Sequence, residues 1–183
     1  MLQSLQSAIK EHSDVLQSLE SLSIPIAQTI AAMQQAFSQG NKLLVCGNGG
    51  SASDAQHFAS ELTGRFEKDR TGFPAFALTT DSSALTAIAN DYGFNRIFAR
   101  QLESVGTEGD VLIVISTSGN SENLMATVQQ AKLQKIKTIA FLGRDGGQLK
   151  SMVDIALVVA GERTSRIQEA HIFLLHFICQ AFE

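Results

Sequence analysis

The sequence predicts an α/β protein built on a parallel five-stranded sheet with helices on both faces, preceded by N-terminal helices. Three observations predict it. Five short apolar runs are near-continuous rather than alternating, which is how strands covered on both faces read. Helical patterns separate those runs, and strand–helix alternation implies parallel strands with right-handed crossovers. Only two prolines occur, at Pro25 and Pro74, and the 14 glycines cluster at a few places, whereas a β-sandwich needs many more turn residues.

The first 40 residues read as two helical segments broken near Ser23-Ile24-Pro25. Their apolar positions (Leu2, Leu5, Ile9; Ile26, Ile30, Met33, Phe37) recur at helical spacing, so a face wants covering, by the protein's own sheet or by a second subunit. The strands are 43–46, 75–78, 111–115, 138–142 and 155–159. The clearest helices are 51–66, 95–105, 121–134 and 164–182. No internal repeat, low-complexity segment or linker divides the chain, so residues 1–183 are read as one domain.

Composition narrows the function classes. Fourteen basic and 18 acidic residues give a net charge of −4, so no global field recruits nucleic acid or an anionic membrane. No apolar run approaches the roughly 20 residues of a membrane helix. The first residues lack a signal-peptide core, and two cysteines, Cys46 and Cys179, cannot build a disulfide framework. A cytoplasmic protein is expected.

Three motifs carry chemistry. Ser116-Thr117-Ser118-Gly119-Asn120-Ser121 follows a strand and opens a helix, where backbone N–H groups, the helix dipole and hydroxyls suit an anion. An N-capping turn needs only one hydroxyl, and four are present. Cys46-Gly47-Asn48-Gly49-Gly50-Ser51 occupies the equivalent place after the first strand. It lacks both the dinucleotide glycine spacing and the P-loop lysine. Two such loops at carboxyl strand ends suit a small phosphorylated metabolite. In the next helix His57 and Glu61 stand at i, i+4, as a metal pair or as a surface His–Glu pair. Near the C-terminus Gln168, His171 and His176 interrupt an apolar helix, as core histidines or as site residues.

Together CGNGGSASDAQHFASELTGRF, IANDYGF, STSGNSEN and RIQEAHIFLLH resemble the phosphoheptose isomerases of the sugar-isomerase (SIS) superfamily, in order along nearly the whole chain. The resemblance implies a single SIS domain with a flavodoxin-like three-layer sandwich, in which residues 1–40 serve oligomerisation. It implies conversion of sedoheptulose 7-phosphate to D-glycero-D-manno-heptose 7-phosphate through an enediol, feeding nucleotide-heptose and lipopolysaccharide-core synthesis. Ser116, Thr117, Ser118 and Ser121 match the sugar-phosphate loop. Asn48, Gly49 and Gly50 match one substrate-contacting turn, and Asn90 with Asp91 matches a second. His57, Glu61, Gln168 and His176 match the zinc ligands, one ion per subunit, and Glu61 with His176 matches the acid/base pair. Glu61 and Gln168 also match substrate-binding positions, and Arg65, in the same helix as Glu61, matches a substrate-supporting position. Ser165 replaces an acidic residue found in some members. A homotetramer with sites near subunit interfaces is implied.

The implied chemistry is coherent, since a desolvated carboxylate can move a carbon-bound proton and zinc can polarise a carbonyl. A carboxylate held by zinc is a poor base, so Glu61 either changes its coordination or serves one role at a time. Gln168 and His176 stand eight residues apart, roughly 12 Å along a helix. One ion reaches both only through leaning side chains, a distorted helix or ligands from different chains, and His171 is an alternative ligand. The rival reading is a non-catalytic adaptor, because a branch of the family binds the bacterial replication initiator. That branch lacks a carboxylate at the position of Glu61.

Overall fold

The computed structural model describes residues 2–183; Met1 and the side chain of Leu2, one of the apolar positions named above, lie outside the described residues. Five parallel strands form one sheet in the order β2-β1-β3-β4-β5: β1 (Leu43–Gly47), β2 (Ala75–Ala77), β3 (Val111–Ser116), β4 (Lys137–Gly143) and β5 (Ile155–Val159). The order reverses between β1 and β3, which pair in register from Leu43–Val111 to Gly47–Ile115. This is the doubly wound topology the sequence predicts.

Successive side chains of a strand point to opposite faces, so the sheet has two cores. Val45, Ile113, Ile115 and Phe141 face α2 (Ser23–Ser38), α3 (Gly50–Thr63) and α8 (Thr164–Cys179). Leu44, Leu112, Val114 and Ala140 face α5 (Ile97–Val105), α6 (Glu122–Leu133) and α7 (Leu149–Met152). The amino ends of the strands are pinned by carboxylates, Asp110 buried and Asp154 exposed. Asp110 accepts from the Lys42 and Thr107 amides at 3.0 and 2.8 Å, and its Oδ2 pairs with Lys42 Nζ at 2.8 Å. Burial pushes its pKa up, and these contacts outweigh burial and hold it below the usual value. Asp154 binds Thr138 in the same way. The opposite ends of the strands carry the loops of interest.

The N-terminal break differs from the expected one. α1 (Leu2–Ser18) passes through a 3₁₀ turn at Leu19–Leu22 into α2, and Pro25 lies inside the first turn of α2. Proline is tolerated there because its missing N–H would have no intrahelical partner. Met33 and Ala36 are buried under the sheet, whereas Leu5, Ile9 and Ile24 stay exposed. Across α1 and α8, His12 bonds Glu169 at 2.8 Å, and Arg166 bonds the same carboxylate.

Two further elements differ from expectation. α3 stops at Thr63, where Gly64 leaves the helix, so Arg65 is outside that helix and exposed. Arg70 folds back instead and donates to the carbonyls of Glu61 and Leu62 at 2.9 and 3.0 Å, covering the helix end. α4 (Ser82–Tyr92) is a helix the sequence reading did not mark, so Asn90 and Asp91 lie in its last turn rather than in a turn between elements. Its signals were present: Asp81 accepts from the Ala84 amide at 3.0 Å as an N-cap, and Gly93 ends the helix at φ +88°.

Candidate active site

The loops after β1 and β3 meet at the reversal of strand order, where open parallel sheets bind ligands. The first runs from Gly47 into α3, with Gly49 at φ +56°. The second runs from Ser116 into α6. The side chains of Asn48 and Asn123 join them through two reciprocal hydrogen bonds of 2.9 and 2.8 Å. Asn123, buried in the first turn of α6, went unnoticed in the sequence although it lies inside the STSGNSEN motif.

The second loop is held by its own hydroxyls. Ser116 Oγ accepts from the Gly119 amide at 3.0 Å, and Ser118 Oγ from the Asn120 amide at 3.3 Å. Gly119 sits at φ +66° with its Cα against the backbone of Gly146, so no side chain fits there. Asn120 Oδ1 accepts from the Gln148 amide at 3.1 Å, which ties the loop to the Gly146-Gly147 turn after β4. Ser121 occupies the N-cap position of α6, yet its side chain makes no capping bond. The N-capping reading of this segment therefore fails for Ser121. The hydroxyls of the half-buried Thr117 and Ser121 bond to no described side chain or backbone group. Beside Asn48 and Gly49 lies a cavity of about 270 Å³ walled by Thr79, Leu85, Thr86 and Phe94. Asn90 and Asp91, bonded to each other at 2.8 Å, stand exposed on α4 near this wall.

α3 packs against α8 and brings together side chains 119 residues apart. His57 Nε2 lies 3.1 Å from His176 Nε2 and 3.3 Å from Glu61 Oε1. At 3.1 Å one imidazole nitrogen carries the proton and the other accepts it. Phe66 lies against the His176 ring, with centroids 5.6 Å apart. His171, by contrast, is fully buried and faces Phe141, with Nε2 on the Leu142 carbonyl at 3.1 Å; it is a core histidine.

Gln168 lies over the first residue of α3. Its amide lies so close over Gly50 that a methyl group there would overlap it. Asp54 is buried, and its Oδ2 has no partner. Burial pushes the Asp54 carboxyl up to about 6, against the opposing pull of Gln168 and His57.

A SIS domain model matches residues 9–143. The phosphoheptose isomerase of Helicobacter pylori strain P12 is 49% identical, over 98% of this chain and 94% of that protein. The chain belongs to the phosphoheptose isomerase family. Two solved phosphoheptose isomerases share its fold. That of Neisseria gonorrhoeae has a TM-score of 0.93 at 45% identity, covering 98% of this chain and 97% of its own. That of Francisella tularensis has 0.95 at 40% identity, covering 98% and 96%. As a phosphoheptose isomerase family member, the chain is an isomerase rather than a bare sugar-phosphate-binding module, and it keeps both Glu61 and His176.

Of the residues that this family resemblance marks for zinc, His57 contacts both Glu61 and His176. Among the described residues no three His, Cys, Asp or Glu side chains form a cluster arranged to hold a metal ion. The donor types nevertheless suit zinc. Two imidazole nitrogens on one tetrahedral zinc lie about 3.3 Å apart, close to the His57–His176 separation, and Glu61 offers an oxygen beside them. Gln168 lies over Gly50, eight residues before His176 on the same helix.

Proposed function

We propose that the protein interconverts sedoheptulose 7-phosphate and D-glycero-D-manno-heptose 7-phosphate through an enediol. The observation that carries this reading is the convergence of Glu61, His57 and His176 in a fold that also presents uncommitted hydroxyls at a helix start. The phosphate sits on Ser116, Thr117, Ser118 and Ser121, with Asn48, Gly49 and Gly50 closing over the sugar and Asn90, Asp91 and Arg65 bordering it. Glu61 removes the proton from one carbon and returns it to its neighbour. His176 moves the proton between the two oxygens, so that no net charge is left on the enediol. His57 holds His176 in place through the 3.1 Å contact.

Zinc, held by His57, Glu61, His176 and Gln168, would polarise the carbonyl and stabilise negative charge on it. The spacing of Gln168 and His176, roughly 12 Å along α8, supports a site shared between subunits of a homotetramer. The exposed Leu5, Ile9, Ile24, Phe173 and Phe177 give that tetramer apolar surface to cover. The setting is cytoplasmic, and the product would supply nucleotide-activated heptose for surface glycans. No described helix is long and apolar enough to cross a membrane.

The test is proton NMR with sedoheptulose 7-phosphate in deuterated water, with and without a zinc chelator. An aldoheptose phosphate carrying deuterium at C2 is expected, and its loss with chelator would make the metal functional. No conversion and no exchange, with or without added zinc, would overturn the isomerase reading.

A further inference from the structure

Glu183 follows the 3₁₀ turn at Gln180–Phe182 that ends α8, and its side chain reaches back to the segment after α3. There it accepts from two consecutive backbone amides, that of Glu67 at 3.3 Å and that of Lys68. Its Oε1 also lies 3.8 Å from Arg70 Nε, and the Glu183 and Arg70 side chains are 7% and 12% exposed. Arg70 in turn donates to the carbonyls of Glu61 and Leu62 at 2.9 and 3.0 Å, with its guanidinium 4.9 Å over the Phe73 ring. One carboxylate thus joins the helix that carries His176 to the end of the helix that carries Glu61. Stability does not require it. Phe37, Phe73 and Phe182 already hold this segment, with ring centroids 4.9 to 5.6 Å apart. Arg70 Nε makes no hydrogen bond, and an apolar pair of similar volume often serves as well as a buried ion pair. Apolar packing sets no direction, whereas a carboxylate on two amides and a guanidinium on two carbonyls do.

We propose that Glu183 is a positioning residue for the acid/base pair, acting on Glu61 through the Arg70 cap and on His176 through Phe66. Glu61 is third from the end of α3, where a carbonyl has no partner within the helix, and Arg70 supplies one. With that carbonyl held, the last turn stays wound and the Glu61 carboxylate stays beside His57, at 3.3 Å. Phe66 immediately precedes the two amides that Glu183 holds. Its ring lies against the His176 imidazole, with centroids 5.6 Å apart and planes at 32°. A misplacement of about 1 Å can cost about 10²-fold in rate, so the reach of one side chain into both arms matters for turnover. The proposal rests on the reading of Glu61 and His176 as the acid/base pair.

The test uses Glu183→Gln, Arg70→Lys and Phe66→Leu in the full chain, at temperatures well below each Tm. Glu183→Gln keeps the volume but turns one end of the side chain into a donor facing an amide donor. Arg70→Lys replaces a rigid fork with a single point charge. Both should lower kcat by roughly 10–100-fold while KM stays within about twofold, because the phosphate binds on the separate loop after β3. A readout independent of turnover is the His176 signal in a proton–carbon spectrum of protein labelled at Cε1 of its four histidines, identified by its loss in His176→Gln. The Phe66 ring current shifts that signal, and Phe66→Leu gives its position without the current. Glu183→Gln should move it toward that position, which a loss of stability alone does not do in the folded state. Arg70→Lys should leave it in place, and its kcat keeps the test open if Glu183→Gln folds poorly. Native kcat in both variants, a loss carried by KM alone, or a His176 signal unmoved by Glu183→Gln overturns the proposal. A signal that moves in a protein with no heptose turnover would instead sink the functional reading and leave the positioning role standing.

Discussion

Asn48 and Asn123 exchange two hydrogen bonds, of 2.9 and 2.8 Å, across the point where the strand order reverses. One residue follows β1 and the other lies in the first turn of α6. The pair therefore sets the separation of the glycine loop from the hydroxyl loop, and Thr127 Oγ1 braces Asn123 from below at 2.6 Å. Asn123→Ala should leave the Asn48 amide short of partners and loosen both loops. A loss of about 1–3 kcal/mol in unfolding free energy is expected, with about a tenfold rise in KM, equivalent to 1.4 kcal/mol. Urea unfolding and steady-state kinetics read the two separately, and an unchanged KM would show that the loops do not depend on this pair.

Glu61→Gln keeps the volume of the side chain and removes the base. Turnover should fall by roughly 10²–10⁴-fold, the span of a general base, while Tm holds. The helix end stays covered, because Arg70 binds the Glu61 backbone carbonyl and not the carboxylate. Near-full activity in this variant would remove Glu61 from the mechanism.

Ser121 separates binding from stability. An N-cap serine that bonds the helix contributes about 1 kcal/mol, but the Ser121 side chain makes no such bond. Ser121→Ala should therefore leave the unfolding midpoint unchanged and weaken binding of the phosphorylated sugar. Ser118→Ala should weaken binding too, with a small stability loss from the bond it accepts from the Asn120 amide. Calorimetric titration with the sugar phosphate checks both, and unchanged affinity in both would count against this loop as the phosphate site.

His171 predicts an acid-sensitive fold. Burial pushes its pKa down to about 4, and its Nδ1 is buried without a partner. Between pH 6.5 and about 4 the unfolded chain binds a proton there and the folded chain does not. Stability is therefore full above pH 6.5 and falls as the pH drops through this window, by up to roughly 3 kcal/mol. His171→Gln should flatten the slope of unfolding free energy against pH over that interval. A slope identical to that of the native protein would assign the acid sensitivity elsewhere.

The strands were legible because a fully covered parallel strand leaves an unbroken apolar run, as Leu43 to Cys46 and Val111 to Ile115 do. α4 was not, because its exposed and half-buried surface carries no strong apolar stripe and none of its residues is buried. The hydroxyl loop was visible as a local pattern, since a phosphate site at a helix start needs only neighbouring residues. Arg65 was placed inside α3 because helical spacing continues past it. Gly64 ends the helix, and Arg70, six residues on, takes up the freed carbonyls.

The sequence by itself determined the α/β class, the two loops at the carboxyl strand ends and the family, because each is written in short-range order along the chain. Only the tertiary structure decided that His176 meets His57, that Asn123 holds Asn48, and that Gln168 lies over Gly50. Those contacts join residues 75 or more positions apart. Their partners follow from how α3, α6 and α8 pack on one twisted sheet, and no local spacing encodes that packing.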